Sequence, residues 1–313
     1  MGMNALEELI DDYLAHCLSE GRKRNTVENA YGYPLRHVFL PWCEREGITV
    51  PADLKRRTLE RYQGELLSKG GARGPLSPAT VHSYVRVVNQ MLAWAGDPES
   101  GVEGEVPNGK VKLPKLGRPV KDILSRAEIE RMEDAASAER DKLIIRVLGD
   151  TGMRVGELVK LGVNDLVTRQ RKNFLHVRGK GDLDRLVPII DPNLWRRLKR
   201  FAERGRPAGT ENDALLLGLK RRAGHEDLMP VTVSGVQQMV RQVAHDAGIK
   251  KRVHPHLFRY SAATWMRTKH VDPITITRVM GWTSLRMLQR IYDQAAPVDD
   301  FAALAELLRR EDE

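Results

Sequence analysis

Between residues 96 and 120 the apolar periodicity that runs through the rest of the chain stops. Glycine, proline and charged residues fill the stretch, which reads as an interdomain linker. A chain of 313 residues interrupted there is long enough for two units, each with its own core. The expectation is a helical domain over 1–95, a linker over 96–120 and a second domain over 121–313. Aromatic residues make up only 5% of the chain, which favours a mainly α protein over a large β-sandwich.

In the first half, Leu6, Leu9, Ile10, Tyr13, Leu14 and Cys17 mark one face of a helix over 5–19, and Gly21 ends it. Asn25 or Thr26 is expected to cap the next helix, which carries Tyr31, Leu35, Val38, Phe39 and Trp42. Pro34 and Pro41 are expected to kink or break it. A short helix near 59–67 and a glycine-rich loop over 70–74 follow. Ser77-Pro78 then supplies an N-cap and a first-turn proline for a fourth helix carrying Val81, Tyr84, Val85, Val88, Met91, Leu92 and Trp94. In the second half, Ser125 and Glu128 have the spacing of a capping box. Residues 139–167 read as helix, turn, helix. Residues 174–178 and 185–189 alternate as strands, with Gly179-Lys180-Gly181-Asp182 as the hairpin tip. From about Val233 to Arg310 the pattern is helical again.

The formal net charge is +9. Residues 1–120 hold 16 Lys+Arg against 15 Asp+Glu, which leaves 35 against 27 for residues 121–313, so the excess sits in the second half. Such a balance favours a polyanionic partner, because each neutralised phosphate releases counterions. Cys17 and Cys43 have no metal-ligand spacing and read as buried reduced thiols, so no metal is expected. The N-terminus is acidic and lacks an apolar signal core, and no segment approaches the ~20 apolar residues of a membrane span. A cytoplasmic protein with no membrane partner is expected.

Cleaving a phosphodiester without a metal needs something to neutralise the charge of the five-coordinate phosphorus, and paired guanidiniums are suited to it. It also needs an activated nucleophile and a proton for the leaving oxygen. Arg154 follows a Thr151-Gly152 turn and opens a helix, Lys180 sits at a hairpin tip, and His256 and Arg259 are spaced to share one helix face. Trp282 follows Gly281 and offers an indole N–H, and Tyr292 lies in a short helical pattern. Singly, each has a plainer reading: a surface arginine, a turn lysine, a capping histidine, a core tryptophan, a buried tyrosine.

In this order and in this local context, the set resembles the active site of the tyrosine recombinases, the phage integrase family. The context is Thr151-Gly152-Met153-Arg154-Val155-Gly156-Glu157-Leu158, the strand–Gly179-Lys180-Gly181–strand ending Val187-Pro188-Ile189, Pro255-His256-Leu257-Phe258-Arg259 and Met280-Gly281-Trp282. Trp282 stands where histidine is commoner, Tyr260 stands where a histidine commonly follows the arginine, and the gap from Trp282 to Tyr292 is one residue longer than expected.

The resemblance implies a SAM-like helical core-binding domain and an α+β catalytic domain with a small antiparallel sheet, forming a C-shaped clamp on DNA. It implies site-specific recombination through a 3′-phosphotyrosine and a Holliday junction, with Tyr292 as nucleophile and no cofactor. Arg154, Arg259, His256 and Trp282 would hold the phosphate oxygens, Lys180 would act as general acid, and Glu157 would give support at best. The partner would be double-stranded DNA with inverted-repeat core sites, bound by a homotetramer that is a monomer or dimer when free. Arg22, Lys23, Arg24, Arg73 and Arg86 are candidate DNA contacts of the first domain. A type IB topoisomerase-like nicking-closing enzyme and an inactive site-specific DNA-binding protein are the rival readings. Phe301, Leu304, Leu307 and Leu308 form an apolar stripe on a tail helix over 298–310, which by itself would suit docking on its own domain; the resemblance implies docking on a neighbouring protomer. Deleting residues 298–313 should weaken assembly on paired sites while leaving single-site DNA binding intact; unchanged recombination by the truncated chain would refute that role.

Overall fold

A computed structural model describes residues 5–70, 74–102, 106, 110–117, 122–179, 184–207, 210, 212–218 and 228–292. The chain divides into two compact units, Met1–Arg118 and Pro119–Glu313.

In the first unit, α1 (Ala5–Ser19) buries the six residues its spacing marks. A helical run over 24–45 follows, beginning with α2 (Arg24–Thr26) and ending with α3 (Leu40–Arg45). Two corrections arise here. The run has no side-chain cap: Lys23 precedes it in an extended conformation, and Asn25 instead accepts a hydrogen bond from Asn29 Nδ2 at 2.7 Å. Nor do the prolines break it. The backbone widens into π-helical turns at Val27–Gly32 and Leu35–Phe39, on either side of Pro34, and Pro41 falls in the first turn of α3. A proline lacks the donor for an i→i−4 bond and crowds that carbonyl. A wider ladder relieves both problems, and the burial of Leu35 and Phe39 holds the run in place.

Helix α4 (Arg56–Ser68) and helix α5 (Pro78–Ala95) complete the bundle. Ser77 caps α5 by accepting the Thr80 N–H, and Pro78 opens it. Phe39, Trp42 and Tyr62 stack and tilt against one another in the core. Both cysteines are buried free thiols, and burial pushes the Cys43 thiol up to about 12. Part of the 96–120 segment belongs to this unit: Asn89 on α5 donates to the Val111 carbonyl at 2.9 Å and accepts its N–H at 3.2 Å, and Val111 is buried.

The second unit begins with α6 (Arg126–Ala135), whose N-terminus is a capping box between Ser125 and Glu128. Helix α7 (Glu139–Thr151) buries Leu143, Ile144, Ile145, Val147 and Leu148, and its half-buried charges are paired, Arg140 with Asp141 and Arg146 with Glu133, Asp150 and Asp191. It packs against α6, α9 (Pro192–Arg200), α10 (Val233–Asp246) and α11 (Pro255–Thr268). Helix α8 (Val155–Leu158) follows α7 after the turn at Gly152. Helices α12 (Pro273–Met280) and α13 (Leu285–Tyr292) pack with α11 around Ala262, Ala263, Ile276, Met280 and Leu288.

Three antiparallel strands, β1 (Leu166–Arg169), β2 (Lys172–Val177) and β3 (Arg185–Pro188), form one sheet in the order β1-β2-β3. Leu175 sits opposite Leu166 on one side and Val187 on the other. β1 was not expected, because residues up to 167 read as helical. Its hairpin turns on Gln170 and Arg171, both at positive φ, and this pair lacks the Asn-Gly signal that such turns prefer. The mainly α fold with a small antiparallel sheet is as expected. The tip over 180–183 and the tail over 298–310 lie outside the described residues. Among the described residues, no helix is long and apolar enough to cross a membrane.

Ser261, buried on α11, accepts the Leu124 N–H at 2.8 Å and donates to the Leu257 carbonyl at 2.8 Å. Ser261→Ala should strand the Leu124 N–H and lower stability by about 1–3 kcal/mol. Urea unfolding measures it, and a midpoint equal to that of the wild type would show the bond to be dispensable.

Candidate active site

Helix α12 ends in three consecutive carbonyls, those of Val279, Met280 and Gly281, and each accepts from a different arginine. Carbonyls at a helix C-terminus have no partners within the helix and carry partial negative charge, so cations gather there. Arg185 Nε donates to Val279 at 3.0 Å, an Arg259 amine donates to Met280, and Arg154 donates to Gly281 at 2.9 Å. The arginines come from the start of β3, from α11 and from the residue that opens α8.

Glu157 ties two of them together. Its Oε1 accepts from Arg154 at 2.9 Å and from Arg185 at 3.0 Å, and its Oε2 accepts from Arg185 at 2.8 Å and from the Arg154 backbone N–H at 2.9 Å. Burial pushes the Glu157 carboxyl up, but the hydrogen bonds from Arg185 and from the backbone and side chain of Arg154 outweigh it and hold the group down at about 2. Arg259 is buried, donates to the Gly152 carbonyl at 2.8 Å and lies with its guanidinium carbon 5.3 Å from the Trp282 ring centroid. Burial pulls its pKa down to about 9, helped by the charges of Arg154 and Arg185 and opposed by Glu157. Arg259 therefore stays charged at neutral pH.

Two glycines permit this approach. Gly281 has φ +60°, and a Cβ there would lie 2.8 Å from the Arg185 guanidinium carbon. Gly152 has φ +62°, and a Cβ there would lie 2.8 Å from Met280 Cε and 2.9 Å from Ala262 Cβ. At both positions an L side chain meets backbone strain and neighbouring atoms together.

Of the six residues read from the sequence, Arg154, Arg259 and Trp282 meet at this point. His256 is exposed in the first turn of α11, three residues before Arg259. The backbone makes Tyr292 the last residue of α13, but its side chain lies outside the described residues, as does Lys180. His254 caps α11 by accepting the Leu257 N–H at 3.2 Å, and Tyr260 is half-buried beside the α11–α13 cluster. In the first unit, Lys23, Arg24 and Arg86 are exposed. Arg22 is engaged within the protein, donating to Cys17 Sγ at 3.1 Å and to Glu20 at 2.8 Å with Tyr31 under its guanidinium. Arg73 and the apolar tail residues lie outside the described residues.

Arg185 escaped the sequence reading. The available signal was a lone arginine opening an otherwise apolar strand, Arg185-Leu186-Val187-Pro188, directly after the glycine-flanked tip. What the cluster can do is bind an anion. Two guanidiniums bond one carboxylate, a third sits on the neighbouring carbonyls, and the Arg154 side chain, 41% exposed, still reaches solvent.

The family model described as Phage integrase family matches residues 122–297. Tyrosine recombinase XerC of Mycobacterium sp. (strain KMS) is 30% identical over 323 residues, covering 94% of this chain and 99% of that one. Tyrosine recombinase XerA of Pyrococcus furiosus is 29% identical over 285 residues, covering 90% and 88%. Among solved structures, the XerH site-specific recombinase bound to difH substrate in a pre-cleavage complex aligns with a TM-score of 0.70 at 18% identity, covering 93% and 95%. That likeness is one of fold.

The depressed Glu157 carboxyl has a consequence for stability. Its contribution is full above the ordinary value of 4.5 and is lost as pH falls to about 2. The shift corresponds to on the order of 3 kcal/mol. Between pH 5 and pH 2 the urea midpoint of the wild type should fall more steeply than that of Glu157→Gln, and parallel curves would refute the assignment.

Proposed function

This chain belongs to the phage integrase family and is a site-specific DNA recombinase, and we propose that it cuts and rejoins DNA through a covalent bond to Tyr292. The observation that carries the reading is the convergence of Arg154 and Arg259 on the end of α12, directly before Trp282. A scissile phosphate seated there would meet two guanidinium forks and one indole N–H. Charge fixed in advance at the reacting centre is usually the largest catalytic contribution.

In the proposed step, the Tyr292 oxygen attacks phosphorus and the bond to the 5′-oxygen breaks. The products are a 3′-phosphotyrosine and a free 5′-hydroxyl. A tyrosine with a pKa of about 10 is neutral at pH 7, so its proton has to move. Exposed His256 is the group assigned to take it, and Lys180 is assigned to protonate the leaving oxygen. The ester keeps the bond energy, so attack by the 5′-hydroxyl of a partner strand reseals DNA without an external energy source. Two rounds of exchange pass through a Holliday junction.

Such an exchange calls for four protomers on a pair of inverted-repeat core sites, with monomers or dimers when free, and the tail over 298–310 is assigned to hold them together. The first unit is assigned to core-site binding, with Lys23, Arg24 and Arg86 as its phosphate contacts. Its substrate places the protein at the cytoplasmic nucleoid.

The test is a nicked suicide duplex carrying the inverted repeat that the protein enriches from a randomised pool. The wild type should leave a denaturation-resistant protein–DNA adduct, and Tyr292→Phe should leave none. An adduct that persists in Tyr292→Phe would overturn the assignment.

A further inference from the structure

The geometry points to Arg185 as a positioning residue that holds the two phosphate-binding arginines in register and keeps the charge of the cluster matched to the transition state. This inference rests on the reading of Arg154 and Arg259 as phosphate ligands.

Arg185 does not reach solvent freely: its side chain is only 11% exposed. Three of its N–H groups are used inside the protein, one on the Val279 carbonyl and one on each oxygen of Glu157. Glu157 binds Arg154, Arg154 binds the Gly281 carbonyl, and the backbone from 281 back to 279 returns to Arg185. The contacts therefore form a closed ring. Arg259 joins it through Met280, the residue between Val279 and Gly281. The start of α8 and the end of α12 are thus clamped by one planar fork. A lysine, as a point charge on a flexible stem, could not span Glu157 and Val279 in the same way.

The second argument is charge. Arg154, Arg185 and Arg259 contribute three positive charges and Glu157 one negative, a sum of +2. A phosphodiester carries one negative charge, and the pentacoordinate state formed by an attacking phenolate carries two. Without Arg185 the sum falls to +1, and Glu157 would lean on Arg154 alone, drawing that guanidinium away from the phosphate. Arg185 bonds both oxygens of Glu157, so Arg154 shares that carboxylate rather than carrying it alone, and its side chain still reaches solvent. Gly281 is the backbone counterpart of this role, because any side chain there would strike the Arg185 guanidinium.

The experiment uses the full chain with Arg185→Gln and Arg185→Lys, on the suicide duplex described above. Duplex binding, thermal midpoint and the rate of adduct formation are measured for each. The rate is measured twice, with the ordinary 5′-oxygen leaving group and with a bridging 5′-sulfur, whose thiolate departs without a proton. Arg185→Gln should bind DNA within about threefold of the wild type and slow adduct formation on the order of 100-fold with either leaving group. Arg185→Lys should recover part of that rate, because it restores charge without the fork.

Rates within about threefold of wild type in both variants would overturn the proposal. So would a defect cured completely by the sulfur leaving group, which would place Arg185 in proton delivery. A rate loss that merely tracks lost folding or lost DNA binding in both variants would reduce Arg185 to a structural residue and overturn it as well. No adduct with the wild type would remove the phosphate-site reading itself, and the present inference with it, whereas a wild-type adduct with unimpaired variants would remove this inference alone.

Discussion

The second unit is organised around a contest between like charges. Three guanidiniums share one small volume, and what keeps them there is the run of carbonyls at the end of α12 together with the Glu157 carboxylate. Neither would suffice alone. The carbonyls supply partial charge and direction, and the carboxylate supplies a full charge. The surrounding fold serves to bring four chain segments, from α7–α8, β3, α11 and α12, to that place. The largely buried α7 provides the common wall, and the small residues Gly152, Ala262 and Gly281 let the segments close.

Such a site is poor in stability terms and well suited to binding an anion. Burying charge costs free energy that pairing does not always return. Arg259 is where that cost falls: burial and two neighbouring arginines both work against its charge. A bound phosphate would add an opposite charge that offsets both effects. If these arginines take the phosphate as proposed, the donors are in place before the substrate arrives and need no reorganisation during the reaction.

Much of this was legible in the sequence, for physical reasons that can be named. Caps are local, so Ser77-Pro78 and the Ser125–Glu128 box could be read directly from spacing. Arg154, Arg259 and Trp282 stood out through the short motifs around them. What escaped depends on contacts distant in sequence or on backbone adjustment. Arg185 is an ordinary strand residue until α12 folds over it. The β1–β2 turn uses Gln170 and Arg171 at positive φ, which no turn rule favours. Pro34 is accommodated by a wider helical ladder on either side of it and Pro41 by its place in the first turn of α3, while buried Leu35 and Phe39 hold the run together. The residues that carry the proposed chemistry at Lys180 and Tyr292 are marked by motif order alone.

Position 281 shows what such a junction does to the freedom of a sequence to change. Two independent obstacles meet there: a left-handed backbone and a guanidinium against the α-carbon. Shortening Arg185 would make room and leave the backbone strain. Relaxing the turn would remove the strain and shift the carbonyl that Arg154 needs. No single replacement elsewhere repairs a side chain at 281, so residue 185 can change while 281 stays glycine, but 281 cannot change even when 185 is shortened.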